Sequence, residues 1–196
     1  MTETVCYLSP EFFAEREKTL VKAQRVIDTV CSLEPWAYVL HLDGDGLRQS
    51  YQTDGASTWL ERAAQALEML SSWAGSSNRL AVENLDGYPA DLSQPIVEKL
   101  ATSQCVDIGH LWKDGVDPIS YLNTRLPRTR VIHLHGIGER DHQSLANMTA
   151  NQVDDVVSLL ISTPYTGIVT LEVFSESDLV SSLHTIQDSL SRVNSL

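Results

Sequence analysis

Residues 131–142, VIHLHGIGERDH, hold three of the chain's six histidines and an aspartate. His133, His135, Asp141 and His142 are costly to desolvate unless something pairs with them. The segment is therefore either an exposed polar loop or a set of side chains with a common partner. Residues of the same kind close other apolar runs: His41 in VLHL, Glu83 in VENL, Asp107 and His110 in VDIGH, and Glu172 in TLEVF. A mixed set of imidazoles and carboxylates suits Zn²⁺, Mn²⁺ or Fe²⁺ rather than Ca²⁺, which prefers oxygen alone. A divalent cation held by Glu83, Asp107, Glu172 and neutral imidazoles would also remove the cost of burying carboxylates, whose pKa values would otherwise rise.

Taken singly, each residue has a plainer account. A lone His or Glu at a strand end is commonly a satisfied polar group. Asp141 and His142 could simply open a helix over 144–161, with HQSL leading in. His184 sits off the apolar stripe of its helix and reads as solvated. Asp43 and Asp45 in HLDGDG read as turn residues beside glycines, and Trp59 and Trp73 follow helical spacing and read as packing. The plain account must, however, hold at every strand end at once, and the shared-partner account needs to hold only once.

The elements that would position these residues alternate along the chain. Short apolar runs at 37–42, 79–85, 104–111, 130–137 and 167–174 suit strands buried on both faces, as in a parallel sheet. Within a strand, residues two apart share a face, so His133 and His135 point together and Leu134 packs the other way. Between the runs lie helical stripes: Leu20, Ala23, Val26, Ile27 and Val30 in a helix opened by Ser9-Pro10; Leu60, Ala63, Ala64, Leu67, Leu70 and Ala74 through 57–74; and Leu179, Leu183, Ile186, Leu190 and Val193 in a helix capped by Ser175, with Asp178 completing a capping box. Strand–helix alternation throughout predicts one α/β domain over 1–196 with a parallel sheet. In a parallel α/β barrel, active sites form at the C-terminal strand ends, where the acids and histidines of this chain lie.

Composition narrows the function. Of the 196 residues, 42 % are hydrophobic and 20 % charged, and the net charge is −12. Phosphate-backbone binding calls for a basic patch; the densest basic stretch is RLPRTR at 125–130, so long nucleic acid and anionic membrane surfaces are not expected partners. The first residues show no basic region followed by an apolar one, and Cys6, Cys31 and Cys105 form no CxxC pair. Reduced thiols and a cytoplasmic location are expected.

The motifs VENLDGYP, VDIGHL, VIHLHGIGERDHQSL and GIVTLEVFSESDL resemble the second half of a xylose-isomerase-like barrel, the superfamily of endonuclease IV and many sugar isomerases. Within it, HLHG followed by DHQSL and TLEVFSE most resembles the cobamide-remodelling phosphodiesterases, which cut the nucleotide loop of cobamides so that the lower ligand can be exchanged. The resemblance implies a TIM-type (β/α) barrel, N-terminally truncated to about five βα units, since a full barrel usually takes about 250 residues. It implies two or three divalent ions (Zn, Mn or Fe) and a corrinoid phosphodiester as substrate. Carried over residue by residue, His41 and Glu83 serve a first metal, with Glu83 bridging; Asp107, His133 and Glu172 complete a second; His110, Asp141 and His142 hold a third. Glu83 and Glu172 double as catalytic groups, and His135 acts as a donor behind the ligands or on the leaving-group side. Clustered cations neutralise phosphate charge, which reconciles an acidic protein with a phosphodiester. Open barrel edges call for a cover, and a homodimer would supply one. Two other functions fit the same residues: a sugar isomerase or epimerase with one metal on Glu83, Asp107, His133 and Glu172, and a non-catalytic truncated barrel.

Overall fold

The computed structural model describes residues 4–7, 13–43, 54–163 and 165–195. The chain forms two compact units, Met1–Cys105 and Val106–Leu196. The first contains β1 (Thr4–Tyr7), α1 (Phe13–Val30), β2 (Tyr38–Asp43), α2 (Asp54–Ala74), β3 (Leu80–Glu83), α3 (Gln94–Leu100) and the start of β4 (Ser103–Asp107). The second contains α4 (Ile108–Lys113), α5 (Pro118–Arg125), β5 (Thr129–Leu134), α6 (Ala150–Ser162), β6 (Ile168–Leu171) and α7 (Glu176–Val193). Every strand pair described is parallel, and helices alternate with strands. The fold is the α/β architecture of the TIM-barrel type.

In the first unit, the strands lie in the order β1-β2-β3-β4. β1 adds a strand to those expected. Its four residues, TVCY, are too short to show a period, and pairing with β2, Val5 opposite His41, is what fixes them as a strand. The β2–β3 register sets Leu40 opposite Val82 and so carries His41 to the level of Glu83. All of β3 is buried, as a strand covered on both faces must be. The core beneath it is the face of α2 formed by Trp59, Ala63, Leu67 and Leu70, joined by Leu20, Ala23 and Ile27 of α1. Alanine at 63 and 66 lets this helix approach closely. Trp59 is packing, as its spacing implied. Asp43 is the last residue of β2 rather than a turn residue; Asp45 and the Ser9-Pro10 helix start lie outside the described residues.

In the second unit, β5 and β6 pair in register, Val131 with Ile168 through Leu134 with Leu171. The Glu172 N–H continues the ladder to the Leu134 carbonyl at 3.2 Å. The core here is Ile132, Leu134, Leu145, Val153 and Val156, all buried. Thr149 caps α6 in a capping box with Gln152, and Ser144 caps a separate 3-10 turn, Leu145–Asn147. HQSL thus leads into that turn rather than directly into the helix. Ser175 caps α7 as expected, accepting the Asp178 N–H at 3.1 Å. Asp178 does not close the box; its carboxylate accepts the Ser144 N–H at 3.2 Å instead.

Two expectations about burial are corrected. β6 is not covered on both faces: Ile168 and Val169 are exposed, in keeping with a strand that, among the described residues, pairs with β5 alone. The leucine stripe of α7 is likewise not its buried face. Leu179, Leu183 and Leu190 are exposed, and the fully buried residues are Ser182 and Ser189. Small serines let the helix close on the 3-10 turn, where Ser182 Oγ accepts the Leu145 N–H at 3.0 Å. Among the described residues neither Cys31 nor Cys105 is in a disulfide, and no helix is long and apolar enough to cross a membrane.

Asp154 of α6 and Arg192 of α7 make a two-pronged ion pair, with both N–O distances 2.8 Å. The guanidinium, with Ser189, pulls the Asp154 carboxyl down to about 2. A carboxyl depressed in the fold stabilises above its unfolded value of 3.8, and that stabilisation fades as pH falls. Urea unfolding of Asp154→Asn is therefore expected to show a deficit at neutral pH that closes between about pH 4 and about pH 2. Ser182→Ala is expected to cost about 1–3 kcal/mol, because the buried Leu145 N–H loses its acceptor. Exposed Ser191→Ala, measured alongside, should stay within about 0.5 kcal/mol of the parent.

Candidate metal centre

In the first unit, the matched levels of β2 and β3 bring His41 Nε2 to 3.0 Å from Glu83 Oε2. Glu83 is buried and His41 is half-buried. A small cleft of about 20 Å³ beside Glu83 is lined by Leu42, Trp59, Asn84 and Tyr88.

The second unit gathers more. Asp107 ends β4 and caps α4, its Oδ1 accepting the His110 N–H at 2.7 Å. His110 therefore sits in the first turn of a helix and not on a strand end as expected; the continuous apolar run VDIGHL hides the change of period. β5 presents His133 and, one residue past its end, His135 on the same face. His133 Nδ1 is 2.7 Å from Glu172 Oε2 and 3.9 Å from Asp107 Oδ2. Asp107, His110, His133, His135 and Glu172 are all buried.

The loop after β5 folds back to bring in the last pair. Gly136 and Gln143 exchange two backbone hydrogen bonds, of 2.8 and 3.1 Å, closing residues 136–143 into a tight loop. A Cβ at position 136 would collide with the Ser144 carbonyl, so glycine is required for that closure. His142 adopts a left-handed conformation, φ 55°, which L-residues other than glycine and asparagine pay to adopt. In return its N–H donates to His135 Nδ1 at 3.0 Å, and its ring stacks on that of His135 with centroids 4.2 Å apart. Its Nδ1 lies 3.0 Å from Asp141 Oδ1, and Lys113 Nζ donates to Asp141 Oδ2 at 2.7 Å. Burial raises the Asp141 carboxyl, but the Lys113 and His142 contacts outweigh it, so the group lies well below its usual range.

Ligand atoms of Asp107, His110, His135 and His142 lie within 4.8 Å of one another. One carboxylate and three imidazoles are a donor set that Zn²⁺, Mn²⁺ or Fe²⁺ takes. The fit is carried by His135 Nε2, which is buried and aimed at Asp107 Oδ1, 3.1 Å away. His135 Nδ1 has both an acceptor, the Gly136 carbonyl at 3.0 Å, and a donor, the His142 N–H. When Nδ1 carries the proton and donates to Gly136, the Nε2 lone pair is free for a cation, the arrangement ligating histidines commonly use. Without a cation, burial lowers the His135 pKa, but the neighbouring Asp107 carboxylate and the Gly136 carbonyl outweigh it, and the net shift is upward. The structure thus places His135 among the candidate ligands. Asp141 faces Lys113 and His142 from the rim of this four-residue set. Asp107, His133 and Glu172 stand together as the second group of donors.

Two contributors were not singled out in the sequence. Lys113 holds Asp141, and Phe174, 68 % exposed, stacks on His142. Both are loop- or helix-end residues of ordinary type, and neither carries a spacing signal.

No family model matches the chain, and no curated protein does. Among solved structures, a D-tagatose 3-epimerase-like protein superposes with TM-score 0.73 at 17 % identity, over 95 % of this chain and 77 % of that one. Endonuclease IV from Thermus thermophilus gives TM-score 0.68 at 18 % identity, over 96 % and 74 %. A zinc-bound IolI protein gives 0.66 at 12 %, over 97 % and 73 %. The chain shares the TIM-barrel-type fold of these structures. At these identities the likeness concerns the fold alone.

Gly109 tests the centre. A Cβ there would run into the imidazole of His135. Gly109→Ala is expected to push that ring aside at a cost of about 1–3 kcal/mol. Zn²⁺ or Mn²⁺ retained after dialysis, read by elemental analysis, should fall at least about tenfold, the size of effect that disturbing a ligand's support produces.

Proposed function

We propose that this chain is a divalent-metal-dependent phosphodiesterase whose substrate is the nucleotide loop of a cobamide. The observation that carries the reading is the surplus of buried donors. Asp107, His110, His135 and His142 form one set, and His133 and Glu172 stand beside Asp107. A four-coordinate ion such as Zn²⁺ needs fewer donors than this, and phosphodiester cleavage commonly uses ions in pairs or triples.

Bound divalent ions would supply a nucleophilic water at neutral pH and neutralise charge on the phosphate oxygens. The chain's own groups do the rest. Asp107 stands 3.1 Å from His135 Nε2 and caps the turn that carries His110. With a cation on His135 Nε2, the Nδ1 proton would face the Gly136 carbonyl, 3.0 Å away, in place of the contact from the His142 N–H. Glu172 Oε2, against His133 Nδ1, fixes that ring and can hold a proton beside the reacting atoms. Lys113 keeps Asp141 ionised and aimed at His142. A substrate anchored by ions needs no basic patch, which agrees with the acidic charge of the chain. The protein is expected to be cytoplasmic, and two copies covering each other's sheet edges is the assembly we favour.

A sugar isomerase or epimerase is the second reading, favoured by the fold likeness to a D-tagatose 3-epimerase-like protein. In it, carboxylates would move a proton beside a carbonyl around one ion. Metal counting separates the two: two or three equivalents support the phosphodiesterase, one the isomerase. The deciding experiment incubates the chain with an adenosylated cobamide and Mn²⁺, Zn²⁺ or Fe²⁺ and reads products by mass. A cobinamide-type product is expected, and its absence with every ion overturns the reading. Asp107→Asn keeps the cap on α4 and removes the charge; turnover is expected to fall by about a thousandfold or more with the fold intact by circular dichroism.

A further inference from the structure

Three rings run outward from the buried centre of the second unit. His135 is wholly buried, His142 stacks on it at 4.2 Å with planes 16° apart, and Phe174 stacks on His142 at 4.8 Å with planes 19° apart. The column ends in solvent, because Phe174 remains 68 % exposed. Phe174 follows Glu172 by two residues and precedes the Ser175 cap of α7, so its backbone is pinned on both sides. A phenylalanine this exposed covers little of the core, and a leucine would cover as much. What phenylalanine alone provides is a flat π face parallel to the rings below it.

We propose that Phe174 is a specificity residue: its open face takes a flat heteroaromatic ring of the ligand while the ligand's phosphate engages the metal centre. The inference rests on the proposed phosphodiesterase reading and deepens it by naming the substrate class, a phosphate ester with a planar base one sugar away. The spacing agrees. His142 is both a candidate ligand and the ring beneath Phe174, so the platform stands one ring removed from the ions, about the reach of a pentose. Base-on-aromatic stacking is sequence-tolerant and strong enough to set affinity.

The test separates ring from phosphate. The full-length chain, loaded with Mn²⁺, is titrated by calorimetry with AMP and with ribose 5-phosphate, in which a hydroxyl stands in place of the base. The parent is expected to bind AMP about tenfold tighter, as stacking of one base predicts. Phe174→Leu should erase that advantage without changing ribose 5-phosphate affinity or Mn²⁺ content, and Phe174→Tyr should keep it. Equal binding of the two ligands by the parent, binding of neither, or an advantage that survives in Phe174→Leu overturns the proposal. So does a Phe174→Leu protein that loses Mn²⁺ and weakens for both ligands alike, since Phe174 would then only support His142. Cobamide turnover is scored separately: a ring preference without turnover sinks the phosphodiesterase reading and spares this one, and turnover without a ring preference does the reverse.

Discussion

Pairing of imidazole with carboxylate organises the polar interior of this protein. His41 lies on Glu83, His133 on Glu172, His135 on Asp107 and His142 on Asp141, all at 2.7–3.1 Å. The first three pairs answer the cost of burying an acid at or beside a strand end, and the fourth joins two half-buried loop residues. Each also sets carboxylate and imidazole atoms where a cation could take the place of a shared proton. Stability without the ion and readiness to take it are thus supplied by the same contacts. Metal affinity must then depend on pH, since protons and cations compete for the same nitrogens.

The surrounding backbone bears the strain of that arrangement. The loop over 136–143 is closed by one reciprocal pair of hydrogen bonds, and glycine at 136 is what allows it. Within the loop His142 is left-handed, an unfavourable conformation maintained by its N–H on His135 and its ring between two others. Gly109 leaves the room that the His135 ring fills. Positions with no chemistry of their own thereby determine where the chemical groups stand.

Much of this was legible in the sequence because a strand has a period of two. His133 and His135 had to share a face, and Glu172 had to stand alone between Leu171 and Val173. The level of His41 against Glu83 follows from the parallel register of two strands of similar run. What stayed hidden has physical reasons. TVCY is a strand only because β2 lies beside it. His110 belongs to a helix that begins without a break in hydrophobicity. In α7 the periodic leucines marked an amphipathic helix correctly but not its buried face, since Ser182 and Ser189 pack closest. Phe174 and Lys113 act through neighbours remote in sequence, and no local pattern reports that.

The uncovered side of β6 and α7 has a consequence for the protein in solution. Ile168, Val169, Leu179, Val180 and Leu183 meet water directly. At neutral pH the charge of −12 keeps molecules apart and masks this stickiness. Near the isoelectric point of about 4.8, or once concentrated sulfate screens the repulsion, the balance tips toward self-association. Colloidal behaviour is then governed by a few aliphatic side chains at one margin of the molecule and not by the polar interior that defines its chemistry.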